Sequence, residues 1–448
     1  MNKRSLISII MLIVSISTFA GGILTNTNQN VAFLRMLARG ASIDIDGVYH
    51  NPAGLAFLPT DGFYLSLNGQ SAYQTRVIDA TFPLFPETNH TRHYKGTASA
   101  PFIPSVQAAY KKGNWVISGS FAVGGGGGKA SFDSGLPMFD SKVMAGMAAN
   151  TNLQALAQAT GASAVSDLYS ISSAMEGRQF IYGAQLGFTY KVNDWLAVFG
   201  GGRMNYFSGG YEGYLTATLK DIYAAYVQNP SLYALELDCD QTGWGLTPLL
   251  GADVKLGKWN MGLKYEFMTS LNIENKTKKN SDPDGALAAY KNGVNTPNDI
   301  PALLTAAVGY EILPTLRASV EYHHFYDKQA GMANDKQKAL TGGTNEYLFG
   351  VEWDALQRVT VSGGYQRTDY GLADGFQSDT SFSCDSYSLG FGAAVKLSSK
   401  MKLNVAYFWT NYSDYTKQQD NYNGLPLAGT DVYSRTNKVF GLGVDYKF

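Results

Sequence analysis

Tyr182-Gly-Ala-Gln-Leu-Gly-Phe-Thr-Tyr-Lys191 runs through Val-Asn-Asp194 into a second strand-like stretch that ends near Leu219. Tyr182, Ala184, Leu186, Phe188 and Tyr190 share one face, and Gly183, Gln185, Gly187 and Lys191 share the other. Alternation with a period of two is strand geometry. A strand crossing a bilayer needs about 9–11 residues, an apolar lipid face, and aromatics where that face meets the headgroups. This stretch meets all three conditions. A soluble β-sandwich would alternate too, but would not end so many outward faces in Tyr or Trp.

The same pattern recurs on both sides. Trp115, Ile117, Phe121 and Val123 alternate with Ser118 and Ser120, and Tyr347, Phe349, Val351 and Trp353 oppose Glu346, Gly350 and Glu352. Leu403, Val405, Tyr407 and Trp409 oppose Lys402, Asn404 and Thr410. Fourteen strands are expected, near 62–78, 103–112, 114–124, 178–191, 194–219, 236–256, 258–275, 299–312, 314–328, 344–354, 356–369, 378–397, 399–413 and 435–448. Their connections alternate strictly between short ones, such as Lys111–Asn114, Leu256–Trp259 and Asp354–Gln357, and long ones, such as 125–177 and 276–298. Outer-membrane barrels sort loop length by side and have an even strand number; sandwiches and propellers have no reason to. The fold class expected is therefore all-β, a 14-stranded antiparallel transmembrane β-barrel occupying residues 61–448. The last strand alternates Phe440, Leu442, Val444, Tyr446 and Phe448 with Gly441, Gly443, Asp445 and Lys447. Its terminal aromatic suits closure and makes the barrel assembly machinery an expected partner through Phe448.

Composition agrees. The chain has 448 residues with 49 Gly, 29 Tyr and 23 Phe, net charge −1 and mean hydropathy −0.14. A nucleic-acid partner is not expected, because such binders carry a basic stripe. Lys3-Arg4, the apolar run Leu6–Phe19 and the small residues at Thr18 and Ala20 form a signal peptide over residues 1–20, so export to the bacterial outer membrane is expected. Cys239 and Cys384 lack metal-site spacing; pairing and two separate thiols both remain open.

Two segments break the strand pattern near the start. In Leu37–Leu58, Asn51-Pro52-Ala53-Gly54 favours a turn, since proline crowds the residue before it. The stretch is either an ordinary loop or the filling of the barrel's lumen. Gly124-Gly125-Gly126-Gly127-Gly128 should bend, bulge or leave the wall at the third strand. That run is either a flexible lead-in to the next loop or a gap in the wall. Between 138 and 176, Met144, Met147, Leu153, Leu156, Val165, Leu168 and Met175 sit at loosely helical spacing. They suggest one or two amphipathic helices in an extracellular loop, their methionines giving an adaptable surface or packing on the rim.

These residues together resemble the FadL/TodX family of outer-membrane transporters of long-chain fatty acids and other hydrophobic compounds. The resemblance rests on Gly21-Gly22, Asn51-Pro52-Ala53-Gly54-Leu55, Pro104–Tyr110 followed by Trp115–Gly119, Ile300-Pro301, Gly350-Val-Glu352 and Gly363-Gly-Tyr365. It implies an N-terminal hatch over residues 21–60, with Asn51, Pro52, Ala53 and Gly54 in its motif. It also implies lateral release of ligand at a kink where Gly124–Gly128 falls. In the best-known fatty-acid members the helical insertion follows the fifth strand, whereas here the larger one follows the third.

No catalytic set is legible. His90-x-x-His93 and His323-His324 lack a third ligand, and no Gly-x-Ser-x-Gly elbow occurs. Neither enzyme activity nor a cofactor or metal is expected. The expected function is passive transport of hydrophobic compounds, most of all long-chain fatty acids. The expected partners are that ligand, outer-membrane lipid and lipopolysaccharide. The competing classes are a general diffusion porin and a structural or adhesive surface barrel.

Overall fold

The computed structural model describes residues 25–448 apart from Gln228 and Gly127. The expected signal peptide (1–20), the Gly21-Gly22 pair and the central glycine of the 124–128 run lie outside the described residues.

Fourteen antiparallel strands form a closed barrel. They are β1 (Gly62–Thr81), β2 (Thr91–Lys112), β3 (Trp115–Phe132), β4 (Tyr169–Lys191), β5 (Leu196–Leu219) and β6 (Ser231–Leu256). The series continues with β7 in two pieces (Trp259–Glu266 and Asn272–Asn280), β8 (Leu303–Leu313), β9 (Leu316–Phe325), β10 (Asn345–Leu356), β11 (Val359–Asp369), β12 (Ser386–Lys396), β13 (Met401–Tyr412) and β14 (Gly429–Lys447). Each strand pairs with its neighbours in sequence, and β14 returns to β1 over Tyr64↔Lys447 to Thr81↔Thr430. Closure leaves no sheet edge, which a bilayer demands because it cannot satisfy an open row of backbone groups.

The two faces differ as the alternation requires. Leu186 is 72% exposed and Phe188 48%, whereas Gln185, the neighbour of Leu186 on the inward face, is 3% exposed. Trp115, Tyr190, Trp195, Trp259 and Trp353 cluster near the short turns at one end of the barrel, with Trp259 and Tyr310 ring centroids 4.4 Å apart. The barrel's inner side is polar and carries most of the buried Gln, Asn, Ser and charged residues.

The first six strands run 18 to 26 residues, against 10 to 12 for β8–β13. A hydrocarbon core takes about 9–11, so β1–β6 rise beyond it at the long-loop end as a collar. The third and fourth strands, expected at 114–124 and 178–191, are therefore longer than the alternation alone indicates, whereas the fifth keeps its expected end at Leu219. Above the lipid there is no apolar face to mark the continuation.

The segment 138–176 also needs correction. Helices α3 (Pro137–Ala148) and α4 (Thr151–Thr160) and a 3-10 turn (Val165–Leu168) form there, but 169–176 belongs to β4, so Met175 lies on a strand. The expected continuous strand 258–275 is broken at 267–271. There Pro248, which cannot donate to a ladder, accepts from the Phe267 N–H at 3.0 Å. Residues 378–385, expected to open the twelfth strand, form an irregular loop instead.

Candidate functional site

Residues 25–58 lie against the inward faces of the strands and are almost wholly buried. Asn30 caps helix α1 (Val31–Arg35), accepting the Ala32 N–H at 2.6 Å, and a second short helix, α2 (Gly47–His50), leads into Asn51. The helix sets Val31, Phe33 and Leu34 into an apolar cluster with Ala72, Leu348, Phe408 and Val439 from the wall. Leu348 and Phe408, scattered apolar positions in the sequence, are thus seats for this segment.

The Asn51–Gly54 turn is pinned from two sides. Asn51 donates through Nδ2 to Asp253 at 2.6 Å and accepts the Gly54 N–H at 3.2 Å. Pro52 opens a 3-10 turn, and its carbonyl accepts from Thr189 Oγ1 at 2.7 Å. Ala53 packs against Phe199 and Leu249. A side chain at Gly54 would press on the Asn51 amide.

Charge ties the segment to the far wall. Glu352 on β10 accepts from Arg35 at 2.6 Å and pairs with Arg39 at 3.2 Å; Arg317 on β9 stands 3.7 Å from it. Arg39 also pairs with Asp46 at 2.6 Å. Lys402 bridges Asp44 and Asp445, the latter at 3.2 Å. On the opposite side Lys264 donates to the Tyr49 carbonyl at 2.8 Å and sits 4.1 Å from its ring centre. The Gly40 N–H donates to Glu321 at 2.7 Å, and Glu321 in turn bonds His323 at 2.6 Å. Buried charges are tolerated only when paired in this way.

The close fit depends on inward-facing glycines. A side chain at Gly390 on β12 would collide with the Leu34 carbonyl, one at Gly262 on β7 with the Gly40 carbonyl, and one at Gly364 on β11 would come within 2.5 Å of the Leu37 nitrogen.

On the near wall the sheet is interrupted. β2 and β3 pair from Lys112↔Trp115 to Val106↔Phe121 and again from Ser99↔Lys129 to Gly96↔Phe132, but among the described residues none of 100–105 pairs with any of 122–128. β3 keeps its ladder to β4 with register shifts at Val123/Gly125 and Gly126/Gly128. Gly126 has φ +64°, and a side chain there would meet the Gln179 carbonyl. The N-terminal segment stands in the break. Asn26 donates from its backbone to Gly124 O at 2.9 Å and from Nδ2 to Gly126 O at 2.8 Å. Ser105 Oγ donates to Gln29 O at 2.6 Å, and Gln70 to Asn28 O at 2.6 Å. The two Asn26 bonds meet carbonyls of β3 inside the break, and the other two hold the segment to the wall beside it. A small cavity remains there, lined by Gln29, Gln70, Ile103, Ala122 and Val123 among others. Outside it, Phe102 is 71% exposed and Phe121, Tyr182 and Phe180 stack in a row.

In the collar a second, apolar cavity, partly open to the outside, lies between α3 and β4–β6. Met138, Phe139, Met175, Leu215, Leu237 and Tyr290 are among the residues of its wall. Asp379 fixes the start of α3 by accepting the Met138 N–H at 2.6 Å, and Asp140 on the same helix accepts from Arg92 at 2.6 Å and from Tyr94 at 2.8 Å. Burial pushes the carboxyls of Asp379 and Asp140 up. Nearby, Lys336 is enclosed by Ser378, Ser381 and the Phe376 ring, 4.6 Å away. Burial, with repulsion from Lys417, pulls its ammonium down from 10.5 to about 7. The charged form is therefore disfavoured in the fold: the penalty is full below pH 7 and is relieved as pH rises toward 10.5. Lys336→Met is expected to abolish that dependence. Amide exchange of 332–343, slowing with pH beyond its chemical rate in the parent chain, should show no such trend in the variant.

The sequence motifs are thus brought to two places, Asn51–Gly54 against β4–β6 and the glycine run under Asn26. The ionic tethers and glycine seats were not legible as a site, since each looks like an ordinary inward position on its own strand. His90 and His93 lie apart from His323, and no metal-like cluster occurs among the described residues. Cys239 and Cys384 are buried in different apolar clusters and are not bonded to each other.

Solved structures share this architecture. A FadL homologue of Pseudomonas aeruginosa aligns over 96% of this chain and 100% of its own with TM-score 0.66 at 14% identity. The toluene transporter TodX of Pseudomonas putida gives 0.56 over 96% and 100% at 14% identity. The toluene transporter TbuX of Ralstonia pickettii gives 0.53 over 95% and 97% at 13% identity. No protein-family model and no curated protein matches the sequence.

Proposed function

We propose that this chain, which has the fold of the FadL/TodX transporters, works as they are expected to, carrying hydrophobic compounds passively across a bacterial outer membrane. A hydrophobic solute is held back by the polar lipopolysaccharide face rather than by the hydrocarbon. In this reading the solute enters from outside into the apolar cavity of the collar. Residues 21–60 act as a hatch, and release is sideways through the break between β2 and β3. Burial of about 0.8 kcal/mol per CH₂ favours long chains, so a long-chain fatty acid is the leading ligand. The observation that carries the reading is the unpaired 100–105/122–128 stretch, closed from inside by Asn26–Gln29.

A diffusion porin would need an open aqueous lumen, whereas inward side chains such as Gln107, Gln366 and Asn404 are fully buried. Asn51→Ala should loosen the Asp253 anchor, and Gly126→Val should jam the break. Each is expected to lower uptake of radiolabelled fatty acid by roughly tenfold, the equivalent of about 1.4 kcal/mol, while the folded barrel still shows heat-modifiable migration. Full uptake by both folded variants would refute lateral release under hatch control.

A further inference from the structure

The short-turn end of the barrel is basic out of proportion to the chain. Its residues, 58–62, 111–115, 191–196, 255–259, 311–317, 354–359, 396–402 and 447–448, include eleven Lys and Arg against four Asp and Glu. Elsewhere in 25–448 the balance reverses, with twenty-two against thirty-two. A chain of net charge −1 is thus strongly polarised along its axis. Part of the rim's charge is neutralised within it: Lys111 lies 4.0 Å from Asp61, Lys191 2.9 Å from Asp194, and Arg317 2.9 Å from Asp354. Lys112, Lys258, Arg358, Lys396 and Lys400 are exposed, and among the described residues none of them forms an ion pair.

Three of these cations are gathered by the backbone. The Lys396 N–H donates to the Arg358 carbonyl at 2.8 Å, which sets the β10–β11 turn beside the β12–β13 turn that also holds Lys400. Two carboxylates of these neighbouring strands are already engaged, Asp354 by Arg317 and Asp445 by Lys402 at 3.2 Å. The same turns expose large apolar side chains, Leu356 at 67% and Leu397 at 46%. The combination recurs along the rim, where Lys258 stands beside Leu256 and Trp259, and Lys112 opposite Trp115. A cation next to an apolar or aromatic side chain is the composition of an interfacial anchor, one member entering the hydrocarbon and the other staying with the headgroups. The cations therefore lie at the depth of lipid phosphates, and a soluble acidic partner would have to reach them past those headgroups.

We propose that Arg358, Lys396 and Lys400 bind the headgroup phosphate of an anionic phospholipid in the periplasmic leaflet, as the densest part of a rim that gathers such lipid around the barrel. The arginine supplies forked N–H donors and the lysines point charges to the phosphate oxygens. Leu356 and Leu397 meet the adjoining acyl chains. Beyond contact, a basic surface attracts anionic lipid over about a Debye length. The inference goes beyond the transport reading, because it concerns the outside of the barrel and holds whichever compound is carried.

The test is native mass spectrometry of the folded barrel released from nanodiscs that hold equal parts of phosphatidylglycerol and phosphatidylcholine with matched acyl chains. Lipid retained by the parent should be roughly fivefold enriched in phosphatidylglycerol, and the enrichment should shrink as salt rises. Arg358→Gln, Lys396→Gln and Lys400→Gln combined should bring the two lipids close to parity. Lys276→Gln, Lys278→Gln and Lys279→Gln combined remove as much charge from the long-loop end and should leave the enrichment intact. All six side chains are exposed, and heat-modifiable migration reports whether each barrel is folded. No enrichment in the parent, full enrichment in the folded rim variant, or equal loss in both variants would overturn the inference. Inorganic phosphate retained with the same dependence, in place of the lipid, would assign the turns to a free anion and overturn it too. So would polyglutamate that binds the parent in phosphatidylcholine nanodiscs and not the rim variant, with no lipid enrichment, since the rim would then suit an acidic protein.

Discussion

Glu352→Gln should free the N-terminal segment while leaving the barrel closed. Glu352 sits among Arg35, Arg39 and Arg317, and Arg35 and Arg39 are both almost fully buried. Glutamine keeps the shape and part of the hydrogen bonding but removes the charge, so two guanidinium groups are left buried beside a neutral amide. Breaking a buried ion pair from one side costs about 3–5 kcal/mol. Asp46 still holds Arg39 at 2.6 Å, but among the described residues Arg35 keeps hydrogen bonds only to Asn404 and Ser362. The segment can escape that cost by undocking, since water then solvates both arginines, whereas the wall has no such escape. The expected result is protease cleavage within 31–58 and larger single-channel conductance in planar bilayers, with heat-modifiable migration retained. Unchanged protection and conductance would mean that the apolar seats around Phe33 and Leu34 hold the segment unaided.

Gly390→Leu should have a comparable effect by shape alone. The position faces inward, and even a Cβ there runs into the Leu34 carbonyl, with the Leu37 side chain also within 3.1 Å. The obstacle is backbone of a capped helix, so no rotamer change relieves it. β12 cannot retreat either, because it is paired on both sides. The segment must lift away, losing the packing of Val31, Leu34 and Leu37. Gly392→Leu is not a neutral control, since it faces Arg35; Ser388→Leu, nearer the collar on the same face, tests whether added bulk alone is responsible. Cleavage within 31–58 in Gly390→Leu and protection in Ser388→Leu would assign the effect to the close approach at Leu34. Protection in both would show that the segment can shift to accept the new side chain.

What the sequence carried and what it did not follows from the solvent each residue meets. Lipid imposes an uninterrupted apolar face, so Tyr182–Tyr190 or Tyr347–Trp353 declare their orientation locally, and the alternating turns count the strands. The collar above the lipid imposes nothing of the kind, so the alternation fades before β3 and β4 end and Met175 falls at helical spacing although it lies on a strand. The Asn51–Gly54 turn was visible because proline and glycine restrict the chain by themselves. Its anchor, Asp253, lies some 200 residues away on β6, and no local rule connects them. Gly350, Gly364 and Gly390 look like sites of strand weakness until a backbone is set against them.

That separation bears on how the molecule is made. Residues 30–58 emerge early in synthesis, yet Arg35 finds Glu352 at a distance of 317 residues and Asn404 at 369. Contacts so remote carry the whole loop-closure entropy of the intervening chain and form late in non-local β topologies. The seats on β10, β12 and β13 exist only once those strands are inserted, and the partners on β14 only when the ring shuts. For most of its biogenesis this segment is therefore an unfolded leader with buried-type charges still in water. Its docking is the last step, and its protection from protease times the moment at which the cylinder closes.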